Sequence, residues 1–99
     1  MNKGGYVYIL TNSSNRVLYV GVTSDINRRT FEHEISRSGF TRKYNCKKLV
    51  YLERFETIDL AIAREKQLKK GPRWRKVKLI EESNVGWGDL MKMGAVEFT

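Results

Sequence analysis

The sequence predicts one small domain that mixes β-strands with α-helices, and three observations carry that prediction. Two β-branched and aromatic runs flank a polar turn near the start, apolar residues recur at helical spacing in the middle, and Gly71-Pro72 punctuates the later helical stretch. The 99 residues suit one core and one site, since a domain of this size buries roughly 60–70% of its unfolded surface.

Tyr6-Val7-Tyr8-Ile9-Leu10 and Val17-Leu18-Tyr19-Val20-Gly21-Val22 enclose Thr11 to Arg16, which reads as a hairpin. Closing the loop with Thr11 against Arg16 sets Leu10 opposite Val17 and Tyr8 opposite Tyr19, so both tyrosines share one face. Thr23-Ser24-Asp25 offers cap side chains for a first helix, Asp25 to about Arg37, which Ser38-Gly39 stops. Residues 40–48 are basic and without periodicity, and are expected to form a surface loop. Leu49 to Phe55 reads as a third strand, with Val50, Leu52 and Arg54 on one face and Tyr51, Glu53 and Phe55 on the other. Thr57 caps a second helix, Ile58 to Lys70, and a third is expected from Pro72 to about Glu82. Residues 91–99 read as a loosely held tail behind a domain of residues 1–90.

A net charge of +8, from 19 basic against 11 acidic residues, favours a polyanionic partner through counterion release and steering. A merely soluble basic protein would show the same balance. Cys46 is the single cysteine and His33 the single histidine, so an intramolecular disulfide and a Cys/His zinc site are both excluded. A cytoplasmic address is the expectation. No apolar stretch approaches bilayer-spanning length, and membrane insertion is not expected.

Several polar residues stand where a core would not want them. Around the second helix Ile58, Ala61, Ile62 and Leu68 form the apolar stripe, and Glu65 falls in its middle. A carboxylate pressed toward a core needs a compensating partner, either a divalent cation or a salt bridge to Arg29 or Arg54. On the first helix Ile26, Arg29, Thr30 and His33 share a face, so a phosphate-gripping guanidinium and a proton-handling imidazole stand one turn apart. Both also fit a solvated surface or a packing role. Tyr8 and Tyr19 can direct hydroxyls into a site or simply rim the sheet. Gly21 leaves space for a substrate backbone, or eases a strand end. Trp74, with Val77 and Ile80 at helical spacing, reads as a packing anchor, and so does Trp87.

Tyr6-Val7-Tyr8 and Tyr19-Val20-Gly21, followed by Arg29, His33 and a later Glu65, resemble the GIY-YIG nuclease superfamily, in its short stand-alone branch. The likeness runs from about Gly5 to Leu90 and includes Leu18 to Asp25, Asn27 to His33 and Ala63 to Lys69. Tyr6 stands where many members have glycine, Val20 replaces the isoleucine of the second motif, and Gly71 to Trp74 and Asn84 to Trp87 differ in detail.

The resemblance implies an α+β fold, a three-stranded antiparallel sheet flanked by about three helices. It also implies a metal-dependent endonuclease acting on phosphodiester bonds of DNA rather than RNA, structure-selective and tied to repair or recombination. Residue by residue, Tyr8 or Tyr19 assists water deprotonation, Arg29 holds the phosphate, His33 supports that relay, and Glu65 binds one Mg²⁺ or Mn²⁺. Asn84 is set beside a further family asparagine. Arg42, Lys43, Lys47, Lys48, Lys66, Lys69, Lys70, Arg73, Arg75, Lys76 and Lys78 are the expected backbone contacts, with strong salt dependence and little sequence preference. Family nucleases commonly carry a separate targeting domain, so structure-selective recognition, a protein partner that supplies targeting, or weak binding is expected to bring substrate in. The alternatives are a nucleic-acid-binding module of the same fold that cuts poorly alone, and a protein-interaction domain with an inert groove.

Overall fold

The computed structural model describes residues 4–25 and 28–92, with backbone alone at Arg28 and Arg29. Three strands, β1 (Gly5–Thr11), β2 (Leu18–Thr23) and β3 (Lys48–Phe55), form one antiparallel sheet in the order β2-β1-β3. Four helices accompany it: α1 (Arg28–Arg37), α2 (Gly39–Lys43), α3 (Ile58–Lys70) and α4 (Arg73–Ser83). The α+β class and the three-stranded antiparallel sheet stand as the sequence predicts.

The hairpin register differs from the expected one by two residues: Tyr8 faces Gly21, Leu10 faces Tyr19 and Thr11 faces Leu18. The cause is the loop. The Asn12 side-chain oxygen accepts from the backbone N–H of Arg16 (2.9 Å) and Val17 (3.1 Å), and Asn15 takes a left-handed φ of 59°. Arg16 and Val17 are therefore spent on the turn, and pairing starts at Leu18. A slip of two keeps every side chain on its face, so Tyr8 and Tyr19 still lie together, diagonally rather than directly opposite.

Facing in β3 departs at one position. A bulge between Ile9 and Leu10 sets Ile9 against Tyr51 and Leu10 against Leu49, leaving Val50 as the extra residue. Val50 and Tyr51 then both enter the core under α3 and α4, with Val7, Ile9, Val20, Ala61, Leu68 and Ile80. Leu49 and Leu52 enter the opposite core with Tyr8, Leu10, Phe31, Ile35 and Cys46. The sheet is thus the middle of three layers.

The expected loop over residues 40–48 is corrected by α2, a short helical segment. Ser38 caps it by accepting from Thr41 N–H at 3.3 Å, and the buried Thr41 hydroxyl donates back to the carbonyls of Ile35 and Ser38. α1 is described from Arg28, and Ile26 lies outside the described residues. α3 has its expected limits, capped by Thr57 accepting from Leu60 N–H. Gly5 admits the start of that helix: a Cβ there would come 2.7 Å from Ala61 Cβ and 2.9 Å from Ile58 Cα.

Beyond α4, Leu90 N–H donates to Leu49 O at 2.7 Å and the Asp89 carboxylate accepts from Leu49 and Met91 N–H. These bonds cover part of β3's open edge, and Leu90 and Met91 pack on the α1-side core. Residues 93–99 of the expected tail lie outside the described residues. Among the described residues no helix is long and apolar enough to cross a membrane.

Candidate active site at the edge of the sheet

β1 is the central strand and β2 an edge, so a side chain on β1 can reach that edge by lying across β2. Tyr8 does this. Its ring lies over Gly21, where a Cβ would come 2.7 Å from Tyr8 Cε1 and closer still to Cζ and Oη. On the other side Phe31 of α1 meets the ring edge to face, 4.9 Å between centroids at 87°. The space that glycine leaves at position 21 is therefore taken by Tyr8 and not left for substrate. With 5% exposure, the ring is almost wholly enclosed.

Glu65 comes to the same edge from the other layer. α3 packs across β1 and β2, with Ala61 and Leu68 buried, and Glu65 stands between them on the stripe with its side chain 16% exposed. Among the described residues Arg54 makes no salt bridge to it, and the Arg29 side chain of the other expected bridge lies outside them. Lys69, one turn on and half exposed, holds its Oε2 at 3.5 Å, a long and largely solvated contact worth only a few tenths of a kcal/mol, roughly.

The Tyr8 phenol is held well above its ordinary value of 10.0, first by burial, then by the charges of Tyr19, Glu34 and Glu65 and a hydrogen bond to Tyr19. Two carboxylates from opposite layers thus bear on one hydroxyl. Tyr8, Tyr19, Gly21 and Glu65 are brought together; their convergence could not be read from spacing alone.

The remaining expected residues are placed as follows. Arg29 sits in the first turn of α1, and its side chain lies outside the described residues. His33 is exposed, two residues from each of the inward-facing Phe31 and Ile35 and so on the outer face of α1. Asn84 is buried and bonded to backbone: Nδ2 donates to Val50 O and Gly88 O, and Oδ1 accepts from Gly88 N–H. Arg42, Lys43, Lys47, Lys66, Lys70, Arg75 and Lys78 are exposed. Others have structural partners: Lys48 Nζ donates to Asn15 Oδ1 at 2.6 Å, Arg73 to Asn15 O and Lys76 to Gly71 O. Burial, then Arg73, lowers the Lys76 pKa.

Trp74 corrects its expected packing role, being 61% exposed with the Arg75 guanidinium 5.6 Å over its ring. Two steps of three residues rotate it about 120° from buried Ile80, off the face that meets β3. Trp87 does pack against the core, its Nε1 donating to Glu81. Sequence reasoning passed over Phe40, whose ring lies 5.4 Å from that of Tyr19. The available signal was Ser38 three residues before Thr41, a capping pattern, with aromatics at positions 40 and 44 one turn apart.

The carboxylate here suits a small divalent ion that keeps most of its waters. Mg²⁺ is typically held by one or two carboxylates plus substrate phosphates, and Glu65 is a mostly buried carboxylate whose cation contact to Lys69 among the described residues is a loose one. Among the described residues no group of three His, Cys, Asp or Glu could hold a metal by itself. Away from this edge the described residues line cavities. One of about 340 Å³ is lined by Glu32, Ile35, Thr41 and Met91 among others, without either tyrosine or Glu65. An edge-strand site open to one side suits a polymer better than an enclosed small molecule.

Such a fold, with Tyr8 of β1, Tyr19 and Gly21 of β2 and Glu65 of α3 gathered at the sheet's edge, has the layout of a catalytic domain that cleaves nucleic acid. Residues 4–77 match the GIY-YIG catalytic domain, and the chain belongs to that family. Its relatives include a UPF0213 protein of Haloquadratum walsbyi, 39% identical over 83% of this chain and 92% of the relative, and a UPF0213 protein of Syntrophus aciditrophicus, 38% identical over 79% and 91%. The solution NMR structure of a UPF0213 protein from Bacillus halodurans superposes with a TM-score of 0.57 at 26% identity, covering 97% of this chain and 99% of the other. Membership carries a nuclease-type function on nucleic acid, in a family that generally uses a divalent metal.

Proposed function

We propose that the chain is a divalent-metal-dependent endonuclease that hydrolyses phosphodiester bonds of DNA. The observation that carries this reading is the Tyr8 phenol, laid across Gly21 to an edge where Tyr19 and Glu65 meet it. Glu65 would hold Mg²⁺ or Mn²⁺, which supplies charge stabilisation at the phosphate and leaving oxygen when bound. Tyr8, kept protonated by its surroundings, donates a hydrogen bond into the site. Tyr19 then relays the proton of an attacking water, accepting it as it passes its own to a phosphate oxygen or to solvent. Water oxygen bonds to phosphorus, the phosphorus–oxygen bond to the leaving strand breaks, and that oxygen takes up a proton. Arg29 grips non-bridging oxygens as negative charge develops, and His33, exposed on the outer face of α1 one turn further on, meets a flanking part of the substrate and not the reacting atoms. The barrier to be removed is about 20 kcal/mol, and position and charge must supply it.

The rival, a nucleic-acid-binding module that cuts poorly alone, draws support from Lys69 already standing at the Glu65 carboxylate. One assay separates them. Labelled single-stranded, duplex, flapped and branched DNA, and RNA, are incubated with pure protein and Mg²⁺, Mn²⁺ or chelator. Metal-dependent product that disappears in Glu65→Ala and Arg29→Ala supports the enzyme. Salt-sensitive binding without product supports the module, and the flapped and branched arms show any structure selectivity.

A further inference from the structure

Four aromatic rings run outward from the site in an unbroken line. Centroids lie 6.3 Å apart for Tyr8 and Tyr19, 5.4 Å for Tyr19 and Phe40, and 4.7 Å for Phe40 and Tyr44. Tyr8 is buried, whereas Phe40 and Tyr44 are 42% and 40% exposed. The attachment of α2 does not depend on these outer rings. Buried Thr41, bonded to the carbonyls of Ile35 and Ser38, and buried Cys46 fasten the segment to the core. Two large rings half in water, in contact with each other and continuous with the candidate site, form an aromatic patch that suggests a ligand surface.

The chemistry around them narrows the ligand. Lys43 Nζ stands 5.4 Å over the Tyr44 ring, and Arg42 and Lys47 are exposed on the same segment. Aromatic faces call for a flat apolar partner, and the cations call for phosphate. A nucleobase on its own backbone supplies both, but a base inside a duplex shows only its edges in the grooves.

We propose that Phe40 and Tyr44 form a stacking platform for an unpaired nucleobase of the strand whose phosphate lies at Tyr8 and Tyr19, with Arg42 and Lys43 on that strand's phosphates. The placement beside the cut rests on the nuclease reading; the stacking is measurable without cleavage.

The test titrates 2-aminopurine-labelled single-stranded DNA, single-stranded RNA of the same sequence and duplex DNA with protein in chelator. Wild type is compared with the Phe40→Leu/Tyr44→Leu double variant and with a Phe40→Tyr/Tyr44→Phe swap, all checked for folding by circular dichroism. Wild type is expected to quench the single-stranded probe. The leucine variant loses that quenching and about tenfold or more in single-strand affinity, the aromatic swap keeps both, and duplex affinity is unmoved. Quenching by the DNA or the RNA strand identifies which backbone the platform accepts. Unchanged single-strand binding in the leucine variant overturns the platform, as does an equal loss on duplex. Quenching by a wild type that cuts nothing upholds the platform and removes the nuclease reading, whereas cutting with unaltered leucine-variant binding removes the platform alone.

Discussion

Replacing Gly21 by alanine tests the geometry on which the candidate site depends. Gly21 faces Tyr8 across the hairpin, and the added methyl would lie 2.7 Å from Tyr8 Cε1 and closer to Cζ and Oη. Phe31 closes the other side of the ring at 4.9 Å, so the ring retreats only by breaking that contact. Overpacking of this kind costs about 1–3 kcal/mol, and the forfeited edge-to-face pairing, about 0.5–1.5 kcal/mol, is one way of relieving it rather than a separate addition. Alanine returns about 0.4–1 kcal/mol by restricting the unfolded chain. The expected net loss is about 1–2 kcal/mol, a fall in Tm of roughly 5–15 °C for a domain of this size.

Urea and thermal unfolding followed by circular dichroism should be run on wild type, Gly21→Ala, Tyr8→Ala and the double variant. Without the Tyr8 ring the methyl meets nothing, so Gly21→Ala becomes neutral or stabilising and the cycle returns a coupling of about 1–2 kcal/mol or more. An additive cycle, in which Gly21→Ala costs the same with and without the ring, refutes the claim that Tyr8 lies across β2.

Three further outcomes follow from the same geometry. Because burial and neighbouring charge raise the Tyr8 pKa above 10.0, the folded state keeps that proton longer than the unfolded chain. The Tyr8 contribution is then constant below about pH 10 and is lost as pH rises beyond it; Tyr8→Phe should flatten that fall in urea unfolding, leaving the part owed to Tyr51 and Cys46, which burial also raises, and an unaltered slope would contradict it. Asn84→Ala strands the carbonyls of Val50 and Gly88 and should cost about 2–3 kcal/mol with kcat intact well below Tm, whereas a collapse of kcat at full stability would make Asn84 part of the chemistry. Arg42→Ala and Lys43→Ala should each reduce the slope of log affinity against log salt by up to about one, while Lys48→Ala, which loses a bond to Asn15, should act more on stability than on that slope.

The strands and α3 are legible because their signals are strong and local: β-branched runs around a polar turn, and Thr57 and Gly71 at the ends of one apolar stripe. Glu65 stands out for the same reason, a carboxylate at a core position. What escapes is whatever depends on a competing hydrogen bond. The Asn12 side chain claims two backbone donors and moves the hairpin register, and Thr41 reaches back to Ile35 and Ser38 and winds a basic stretch into α2. Neither bond leaves a periodicity to count. Trp74 misleads because spacing of three drifts around a helix over two steps, and the face that meets the sheet is set by Ile80 instead.

The sheet order explains why so few groups can make a site here. With β1 central and β2 on the edge, a side chain at position 21 would fill the space that the Tyr8 ring takes across β2. Glycine at that one position turns a core aromatic into a group that reaches the rim, where a carboxylate from the opposite layer can act on it. Protein side chains from both layers are thereby brought to the edge strand, and a polyanion drawn by the net charge of +8 can lie along it. Moving the glycine one residue in either direction would put the gap on the other face of the sheet, and it would leave Tyr8 sealed and Glu65 without the phenol it acts upon.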